Sequence, residues 1–406
     1  MGKQKDRSAP GVRVVVLPDE NASEGEPLEL DGRIMGFSFD DAERKADKVS
    51  LQLDNYDLSL FEREELMGGA VLEVSWGYPG NMAPPRRVVI KKLKGFQTLT
   101  VEGHALSTLM NREVKTRRWE DKTQSEVVKE IADEYGYEGG FLHVEDTEDK
   151  FDVINQSAET DARFLRRLAA REELEYWTDH TGFHWHERRQ DTSPTHVLTY
   201  YVDSARGDIL SINIESDLFR RAGKVTVKGR DPLRKATIES SATSSTVDRA
   251  TLGDVIEVVD PETGKTSLEK RNATTTVHPT PASTQERAKR ETSARFRRAE
   301  RATLKLSVQV IGDPTCCAKK VIELRGVSPL LDGKYFVTEA KHTIGSSGYV
   351  CDLKMTRDGT GSVSKRTSRS QGGEKNEHEK GDKELVPIEV VDPETGTTSI
   401  EYRPAS

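Results

Sequence analysis

Cysteine is scarce in this sequence. Only three cysteines occur among the 406 residues, Cys316, Cys317 and Cys351, so one is left over after any pairing. A disulfide scaffold is therefore excluded, and we expect reduced thiols in a chain made in a reducing cytoplasm. Long apolar runs are lacking too, since none approaches the roughly 18 residues that a membrane-spanning helix needs. We expect no membrane insertion of this chain and no secretory signal peptide at its charged N-terminus.

Apolar and aromatic residues are also few. Hydrophobic residues make up 34% of the chain and aromatic residues 6%, whereas 32% of the residues are charged. The apolar share lies below the usual figure of about 45–50%, which favours modest domains with polar segments or large wet interfaces. Lys and Arg number 61 against 69 Asp and Glu, a formal net charge of −8. That balance argues against a dedicated DNA-binding protein, although it permits a local basic patch.

The residues that could carry chemistry form no recognisable site. His184 and His186 share one face of a predicted strand, with His180 nearby, but a zinc site needs further ligands. We interpret them as structural histidines beside Trp185. The motifs GxxxxGK(S/T), GxGxxG, HExxH and CxxC are absent from the sequence. We therefore predict no metal, no cofactor and no catalytic residue.

Turn signals divide the sequence into four segments. Residues 1–105 contain short alternating runs separated by Gly, Asn and Pro, which predict an N-terminal β-barrel-like domain. Residues 106–207 change to a helical period and predict an α/β insertion domain. Residues 208–358 return to a period of two and predict a second β-barrel-like domain, and residues 359–406 predict a polar C-terminal arm. The expected fold class is α+β, mainly β.

Three helices are predicted from caps and periodicity. Thr123 and Glu126 form a capping box ahead of the first helix. The second helix begins near Ser157 or Thr160. Its apolar stripe and its basic face consist of Phe164, Leu165 and Leu168 and of Arg163, Arg166, Arg167 and Arg171, respectively. The third helix is basic and ends near Arg301; a solvated face or an acidic partner explains it better than nucleic acid, because aromatic residues are not interleaved.

One segment occurs twice. Ile256–Glu269 and Ile388–Glu401 are identical at 12 of 14 positions, at an offset of 132 residues. In each copy a Pro presets a turn and a Gly can take the left-handed conformation, so each copy is predicted to form a hairpin. We predict that the hairpins add their edges to a partner's sheet; a duplicated surface hairpin without a partner is the alternative. The residues expected to bind are Val259, Asp260, Pro261 and Gly264 in the first copy and Val391, Asp392, Pro393, Glu394, Thr395 and Gly396 in the second.

Four stretches, in this order, resemble a known family. They are Phe37–Asp57, Ile154–Trp177 with the pattern Gln-x-x-Glu-Thr-Asp-x-x-Phe-Leu-x-x-Leu, the basic helix Gln285–Arg301, and Gly312–Ile344 with Gly-Asp-Pro and Gly-x-Tyr-x-Val-Thr-x-x-x-His. The ordered set resembles the late control protein D family of contractile phage tails and the hub part of VgrG proteins. Cys317-Ala318 departs from the Pro-Gly that the family tends to have, and the repeated hairpin is not typical of the family.

The resemblance implies two β-barrel-like domains with an α/β insertion, assembled as a homotrimer. Three chains would present six similar units to a sixfold inner tail tube and a threefold end to a spike. The implied partners are a separate spike protein, the inner tail tube protein, baseplate wedge proteins and, as a further candidate, the tape measure protein. The chain would be synthesised in the bacterial cytoplasm and assembled into the baseplate of a virion tail or of a tail-like injection particle.

Two other functions stay open at this point. A tail-associated peptidoglycan hydrolase needs two carboxyl groups at a set distance across a sugar cleft, and acidic residues are too common here to identify such a pair. A DNA-binding regulator is opposed by the acidic net charge and by the lack of a helix-turn-helix pattern. The preferred interpretation is a structural baseplate hub that is not an enzyme.

Overall fold

The structure is a computed structural model. It describes residues 9–18, 25–28, 30, 32–189, 192–200, 207–215, 221–230, 235–243, 258–259, 266–267, 273–280, 284–301, 304–327, 331–357, 385–391 and 398–404. The chain divides into two units, Met1–Lys365 and Arg366–Ser406. Strands dominate both units, so the predicted class, α+β and mainly β, is confirmed.

The first eight strands form an antiparallel layer. They are β1 (Gly11–Leu17), β2 (Glu26–Pro27), β3 (Ile34–Ala42), β4 (Lys48–Asp54), β5 (Val71–Tyr78), β6 (Asn81–Met82), β7 (Arg86–Gly95) and β8 (Thr98–Ala105), with short 3-10 helices at Ser59–Glu62 and Glu64–Leu66. Six of them run in the order β3-β4-β8-β7-β5-β1, which we call the first strand group. The predicted alternation of β4 is confirmed, since Val49, Leu51 and Leu53 are all buried. Phe39 and Trp76 pack in this core with ring centroids 4.3 Å apart.

The insertion follows β8 and has a core of its own. Its elements are a 3-10 helix (Leu106–Asn111), β9 (Val114–Thr123), α1 (Gln124–Glu134), a second 3-10 helix (Gly139–Phe141), β10 (Leu142–Val144), β11 (Lys150–Thr160), α2 (Asp161–Arg171), β12 (Leu174–Asp179) and β13 (Gly182–Glu187). β9 and β11 form a two-stranded ribbon, and β10, β13 and β12 form a three-stranded sheet. The predicted capping box is confirmed, because Thr123 and Glu126 each accept a hydrogen bond from the other's amide. Phe164 and Trp185 are fully buried between the helices and the sheet.

A second strand group lies further along the chain. Its members are β14 (His196–Thr199), β15 (Ile209–Ile214), β21 (Leu304–Ile311), β22 (Val321–Arg325), β23 (Gly333–Gly345) and β24 (Gly348–Arg357). Their order is β14-β22-β23-β24-β21-β15, and all pairs except β14 with β22 are antiparallel. The core of this group contains Leu306, Leu324 and Leu353, and it is a cluster distinct from that of the first group.

A smaller layer is inserted into the second strand group. It consists of β16 (Arg221–Arg230), β17 (Thr237–Thr243), β20 (Ala273–Pro279) and α3 (Gln285–Glu300), with Phe296 of α3 buried against Val225. Its strands have the same period of two as their neighbours, so the sequence pattern did not separate this layer from the rest of residues 208–358. No helix within the described ranges is long and apolar enough to cross a membrane.

Two hairpins carry the repeated segment, as predicted. The first pairs β18 (Val258–Val259) with β19 (Thr266–Ser267), and the second pairs β25 (Leu385–Val391) with β26 (Thr398–Pro404). Both pairs are antiparallel, which confirms the hairpin prediction for each copy. The second hairpin lies in the unit Arg366–Ser406.

Strand β23 joins the two strand groups. One of its edges pairs with β24, whereas the other edge is divided between β22, through residues 333–336, and β3, through residues 339–344. The hairpin of β23 and β24 also places Tyr349 in the core of the first group. Gly312 is required beside this ring, because a Cβ at that position would lie 2.1 Å from the nearest ring carbon. The groups therefore share both a strand and part of a core.

A buried cluster of charges lies at the same joint. The Nζ atom of Lys319 is 2.7 Å from Oδ1 of Asp41 and 3.7 Å from Oδ1 of Asp47, and all three side chains are at most 5% exposed. The amide of Ala318 donates to Oδ2 of Asp41 at 2.9 Å. Burial raises the pKa of Asp47 to about 7 even though the charge of Lys319 opposes the shift. Because Asp41 lies on β3, Asp47 directly precedes β4 and Lys319 precedes β22, the cluster ties the two groups together.

Replacing Lys319 with methionine should lower the free energy of unfolding by about 3–5 kcal/mol, because removing one partner leaves buried charge uncompensated. Urea unfolding followed by tryptophan fluorescence measures this change. Lys341→Met is the matched control, since Lys341 lies 3.9 Å from Asp40 in an exposed pair across β23 and β3. Exposed pairs contribute about 0–1 kcal/mol. Equal destabilisation by both variants would contradict the role assigned to the buried cluster.

Candidate functional site

The repeated hairpins carry the predicted binding residues. Val259 pairs with Thr266 in the first copy, and Val391 pairs with Thr398 in the second. These pairs occupy equivalent positions of the repeat, so both copies have the same backbone register, as their shared turn sequence requires. Val259 and Val391 thus lie at the ends of strands. The other predicted residues, Asp260, Pro261, Gly264, Asp392, Pro393, Glu394, Thr395 and Gly396, lie outside the described residues, and their binding role stays a prediction.

The carboxylate of Asp161 organises the insertion. It is fully buried and accepts hydrogen bonds from Gln156 Nε2, Tyr135 Oη and Lys115 Nζ, each at 2.8 Å, and from Arg117. Burial alone would raise the pKa of Asp161, but the hydrogen bonds from Lys115, Gln156 and Tyr135 outweigh it, and the pKa lies below its ordinary value. Asp161, the first residue of α2, is therefore the point at which side chains from β9, from the C-terminal end of α1 and from β11 meet.

A β-bulge in β11 positions this motif. The register with β9 shifts between Gln156 and Glu159, and Ala158 adopts a φ of 47°. Glu159 then forms an ion pair with Arg167 on α2, with 2.6 Å between Oε1 and Nη2. The side chain of Thr160 caps the same helix. The Gln-x-x-Glu-Thr-Asp pattern is thus explained by a bulge, a helix cap and a buried carboxylate, with no catalytic chemistry required.

The basic helix α3 finds acidic partners within the chain. Arg290 lies 2.7 Å from Asp149, and Arg297 lies 2.8 Å from Glu173. Arg301, the C-terminal cap of α3, also bonds to Glu173. These carboxylates all belong to the insertion. The predicted acidic partner is therefore the insertion itself, and these contacts favour that interpretation of α3 over nucleic-acid binding.

The histidines of the insertion are packed among rings. His184 lies between Trp177 and His143, with ring centroids at 4.9 Å and 4.6 Å and nearly parallel planes. Its Nδ1 is 3.3 Å from Nε2 of His186, and burial lowers the pKa of His186 to about 4. His180 lies in the turn that joins β12 and β13. In the described part of the chain, no group of three or more His, Cys, Asp or Glu residues could hold a metal ion.

The three cysteines are free thiols in poor settings for nucleophilic chemistry. Cys316 and Cys351 are fully buried. Burial raises the pKa of Cys317 to about 11 and holds that of Cys351 well above its ordinary value. Because the thiolate is the reactive form, these thiols are suited to packing.

The sequence marks Asp161 only as part of the Gln-x-x-Glu-Thr-Asp pattern, and the buried roles of Asp161, Asp41 and Lys319 were not predicted. A signal existed for Asp161. Lys115 and Arg117 are two residues apart, so they share one face of a strand, and two neighbouring cations indicate a carboxylate nearby. No comparable signal marks Lys319. Its partner Asp41 lies in another strand group, and acidic residues are too numerous for a pair to be picked out by composition.

A comparison with protein-family models decides the family. The model described as "Phage tail baseplate hub (GPD)" matches residues 96–348, which is more than half of the chain. The chain belongs to the phage tail baseplate hub family. The matched range includes three of the four stretches singled out in the sequence, namely Ile154–Trp177, Gln285–Arg301 and Gly312–Ile344, and the predicted family is confirmed. The buried carboxylate motif at Asp161 is therefore part of what the baseplate hub model matches.

Solved tail proteins have a similar fold. The hub chain is similar to the tail protein from Neisseria meningitidis MC58, with a TM-score of 0.61 and 14% identity over 86% of this chain and 97% of that chain. The 43 kDa tail protein of prophage MuSo2 from Shewanella oneidensis gives a TM-score of 0.59 and 12% identity over 86% and 99%. At such identities the likeness establishes the fold alone. No curated protein matches the sequence.

Replacing Asp161 with asparagine should destabilise the insertion by about 3–5 kcal/mol at pH 7, because Lys115 and Arg117 lose their buried partner. Thermal unfolding followed by near-ultraviolet circular dichroism measures the loss. A carboxyl whose pKa is lowered on folding stabilises the protein above its unfolded pKa of about 4, and this contribution disappears as the pH falls through the lowered value. The difference between parent and variant should therefore be full at pH 7 and shrink below about pH 4.

Glu120→Gln is the matched control for Asp161→Asn. Glu120 forms an exposed ion pair with Arg118 on β9, with 2.8 Å between the paired atoms, so its neutralisation should change stability little. A difference between parent and Asp161→Asn that is small at pH 7, or that does not depend on pH, would contradict the assignment.

Proposed function

We propose that this hub protein is a homotrimer that joins the sixfold inner tube of a contractile tail, or of a tail-like injection particle, to a threefold spike. The observation that carries the proposal is the presence of two six-stranded groups in one chain, each built around its own main hydrophobic cluster. Three such chains offer six similar units around one axis, which is what a sixfold ring requires at its interface. The family of structural baseplate hubs to which the chain belongs supports the same assignment.

We also propose the division of labour within the chain. Residues 1–105 and 208–358 would form the two tube-facing β-barrel-like domains, residues 106–207 the insertion, and residues 359–406 a polar arm. The main hydrophobic clusters of the strand groups and of the insertion support this division, with two exceptions: Leu198 of β14 packs in the second strand group and Tyr349 packs in the first. Strand β23 crosses between the two strand groups, so the two domains would move as one body.

The proposed role is binding without catalysis. The partners would be a separate spike protein, the inner tail tube protein, baseplate wedge proteins and the tape measure protein, met after synthesis in the bacterial cytoplasm. The polar composition supports this role, because interfaces that form between folded proteins are only about as apolar as ordinary surface.

Light scattering should give the mass of a trimer, 3 × 45.4 ≈ 136 kDa, for the chain alone or mixed with a candidate spike protein from the neighbouring reading frame. We expect a trimer because six strand groups are needed to close the ring, and each of three chains supplies two of them. The control for aggregation is a sample in which the chain is denatured and refolded by itself before it is mixed with the spike protein. A stable monomer of 45.4 kDa in both samples would overturn the proposed trimer.

The repeated hairpins are proposed to dock on a partner in the assembled baseplate. Their common register and near-identical sequence support one shared mode of docking, two copies per chain and six per trimer. An isolated two-stranded hairpin is only marginally stable in water, which favours a partner for each copy.

Deleting residues 386–406 should reduce the yield of assembled particles while leaving the mass and melting temperature of the purified chain unchanged. Electron microscopy of tail preparations measures the yield. The control is a chain in which the same 21 residues are scrambled, which keeps length and charge but removes the repeat. Normal particle numbers with the deletion would leave the repeat as a surface hairpin without a partner.

A further inference from the structure

Helix α2 displays a row of arginines along its outer side. Arg166, Arg167 and Arg171 follow Arg163 at distances of three, four and eight residues, so all four lie on the outer side of the helix. Arg163, Arg166 and Arg171 are exposed, whereas the hydrophobic side of α2 is buried in the insertion core. The chain as a whole has a net charge of −8, so this stripe is a local reversal of its sign.

A groove runs beside this row, between α2 and β11. Two adjoining cavities of about 740 and 210 Å³ share Asn155 and Arg167 in their walls. The larger cavity is lined by Arg163 and Arg166, and the smaller one by Arg171. The side chain of Arg167 crosses the groove and donates to the carbonyl of Asn155 at 2.8 Å. The walls therefore contain four arginines and one acidic residue, Glu159.

The arginines of α2 differ from those of α3 in their pairing. Glu159 pairs with Arg167. Within the described residues, the guanidinium groups of Arg163, Arg166 and Arg171 form no hydrogen bond or ion pair with a carboxylate. By contrast, the arginines of α3 and its cap that pair with carboxylates are Arg287, Arg290, Arg295, Arg297 and Arg301. Five arginines of α3 and its cap are thus paired with carboxylates, whereas in the described part of α2 only Arg167 is; Arg166 instead lies over the ring of Tyr176, 5.9 Å from its centroid.

Helix stability explains only part of this row. Arg171 lies in the last turn of α2, where the helix dipole favours a cation, but Arg163 lies in the first turn, where the dipole disfavours one. Like charges three and four residues apart also repel one another along a helix. Only Arg167 has a compensating carboxylate. An external acidic group would offset both effects.

We propose that the groove between α2 and β11 binds an extended acidic segment of a partner protein. Arg163, Arg167 and Arg171 recur every four residues, about 6 Å along the helix axis. In an extended chain, every second side chain recurs at about 6.6 Å on one face. The groove is therefore matched to a segment with Asp or Glu at alternate positions. This inference goes beyond the hub function and does not depend on the trimer, because all of these residues belong to one chain.

The proposal is tested by fluorescence anisotropy with the full-length chain and a labelled peptide of alternating Glu and Ser, at low ionic strength. A second peptide has the same composition with all Glu residues in one block. We expect the alternating peptide to bind several times more tightly than the block peptide. Raising the salt concentration should weaken binding, because the contacts are exposed ion pairs.

The double variant Arg163→Glu with Arg166→Glu should weaken binding of the alternating peptide at least about tenfold. The matched control is Lys91→Glu with Lys92→Glu, which makes the same change of net charge at exposed lysines of β7. Its affinity should stay within about twofold of the parent, apart from general screening effects. Should the Glu variant fail to fold, Arg163→Gln with Arg166→Gln provides the same test without charge reversal.

Three results with the peptides would overturn the proposal. They are absence of binding to the parent chain, equal losses in the α2 and β7 variants, and equal affinity for the alternating and block peptides. A single-stranded DNA oligonucleotide that binds more tightly than the peptide, and only when Arg163 and Arg166 are present, would also overturn it, since the groove would then accept a phosphate polymer. None of these outcomes bears on the trimer, which light scattering tests separately.

Discussion

Strand β23 pairs with members of both strand groups, and the architecture depends on how it divides its backbone hydrogen bonds between them. One edge pairs with β24 through residues 336–345, whereas the other edge pairs first with β22 and then with β3. Because β22 and β3 share this edge, each of them can form only a few backbone hydrogen bonds with β23. The buried contact of Lys319 with Asp41 and the insertion of Tyr349 into the first core reinforce the junction where the bonds are divided. The two strand groups consequently behave as one framework.

Ion pairs also hold the insertion and α3 in place. Arg188 and Glu43 form a pair that is 4% exposed on both sides and links the end of the insertion to the first strand group. Arg297 and Arg301 hold α3 to Glu173. Such pairs require good geometry because desolvation costs nearly as much as attraction returns, and they specify one arrangement of the layers. A charge-rich chain with little apolar surface can thus build several joints between modest cores.

Local elements were predictable because their causes lie close together in sequence. The alternation of β4, the capping box of α1, the hairpins of the repeat and the apolar stripe of α2 each depend on a few consecutive residues. The smaller layer around α3 was not predictable, because its strands share the period of two with the group that surrounds them. The ordered motifs were sufficient for the family, which the match over residues 96–348 confirms.

The mainly β class, the helices and the family could be predicted from the residues alone, since these follow from periodicity, caps and the order of short motifs. Which charges meet depends on the folded arrangement. Asp161 became a buried centre because a bulge turned it towards β9, and Lys319 found Asp41 because β23 brought two distant strand groups side by side. The same holds for Arg163, Arg166 and Arg171 of α2, which form no ion pair with a carboxylate among the described residues. Ion pairing depends on distances between side chains in the folded chain, and these distances cannot be read from the sequence.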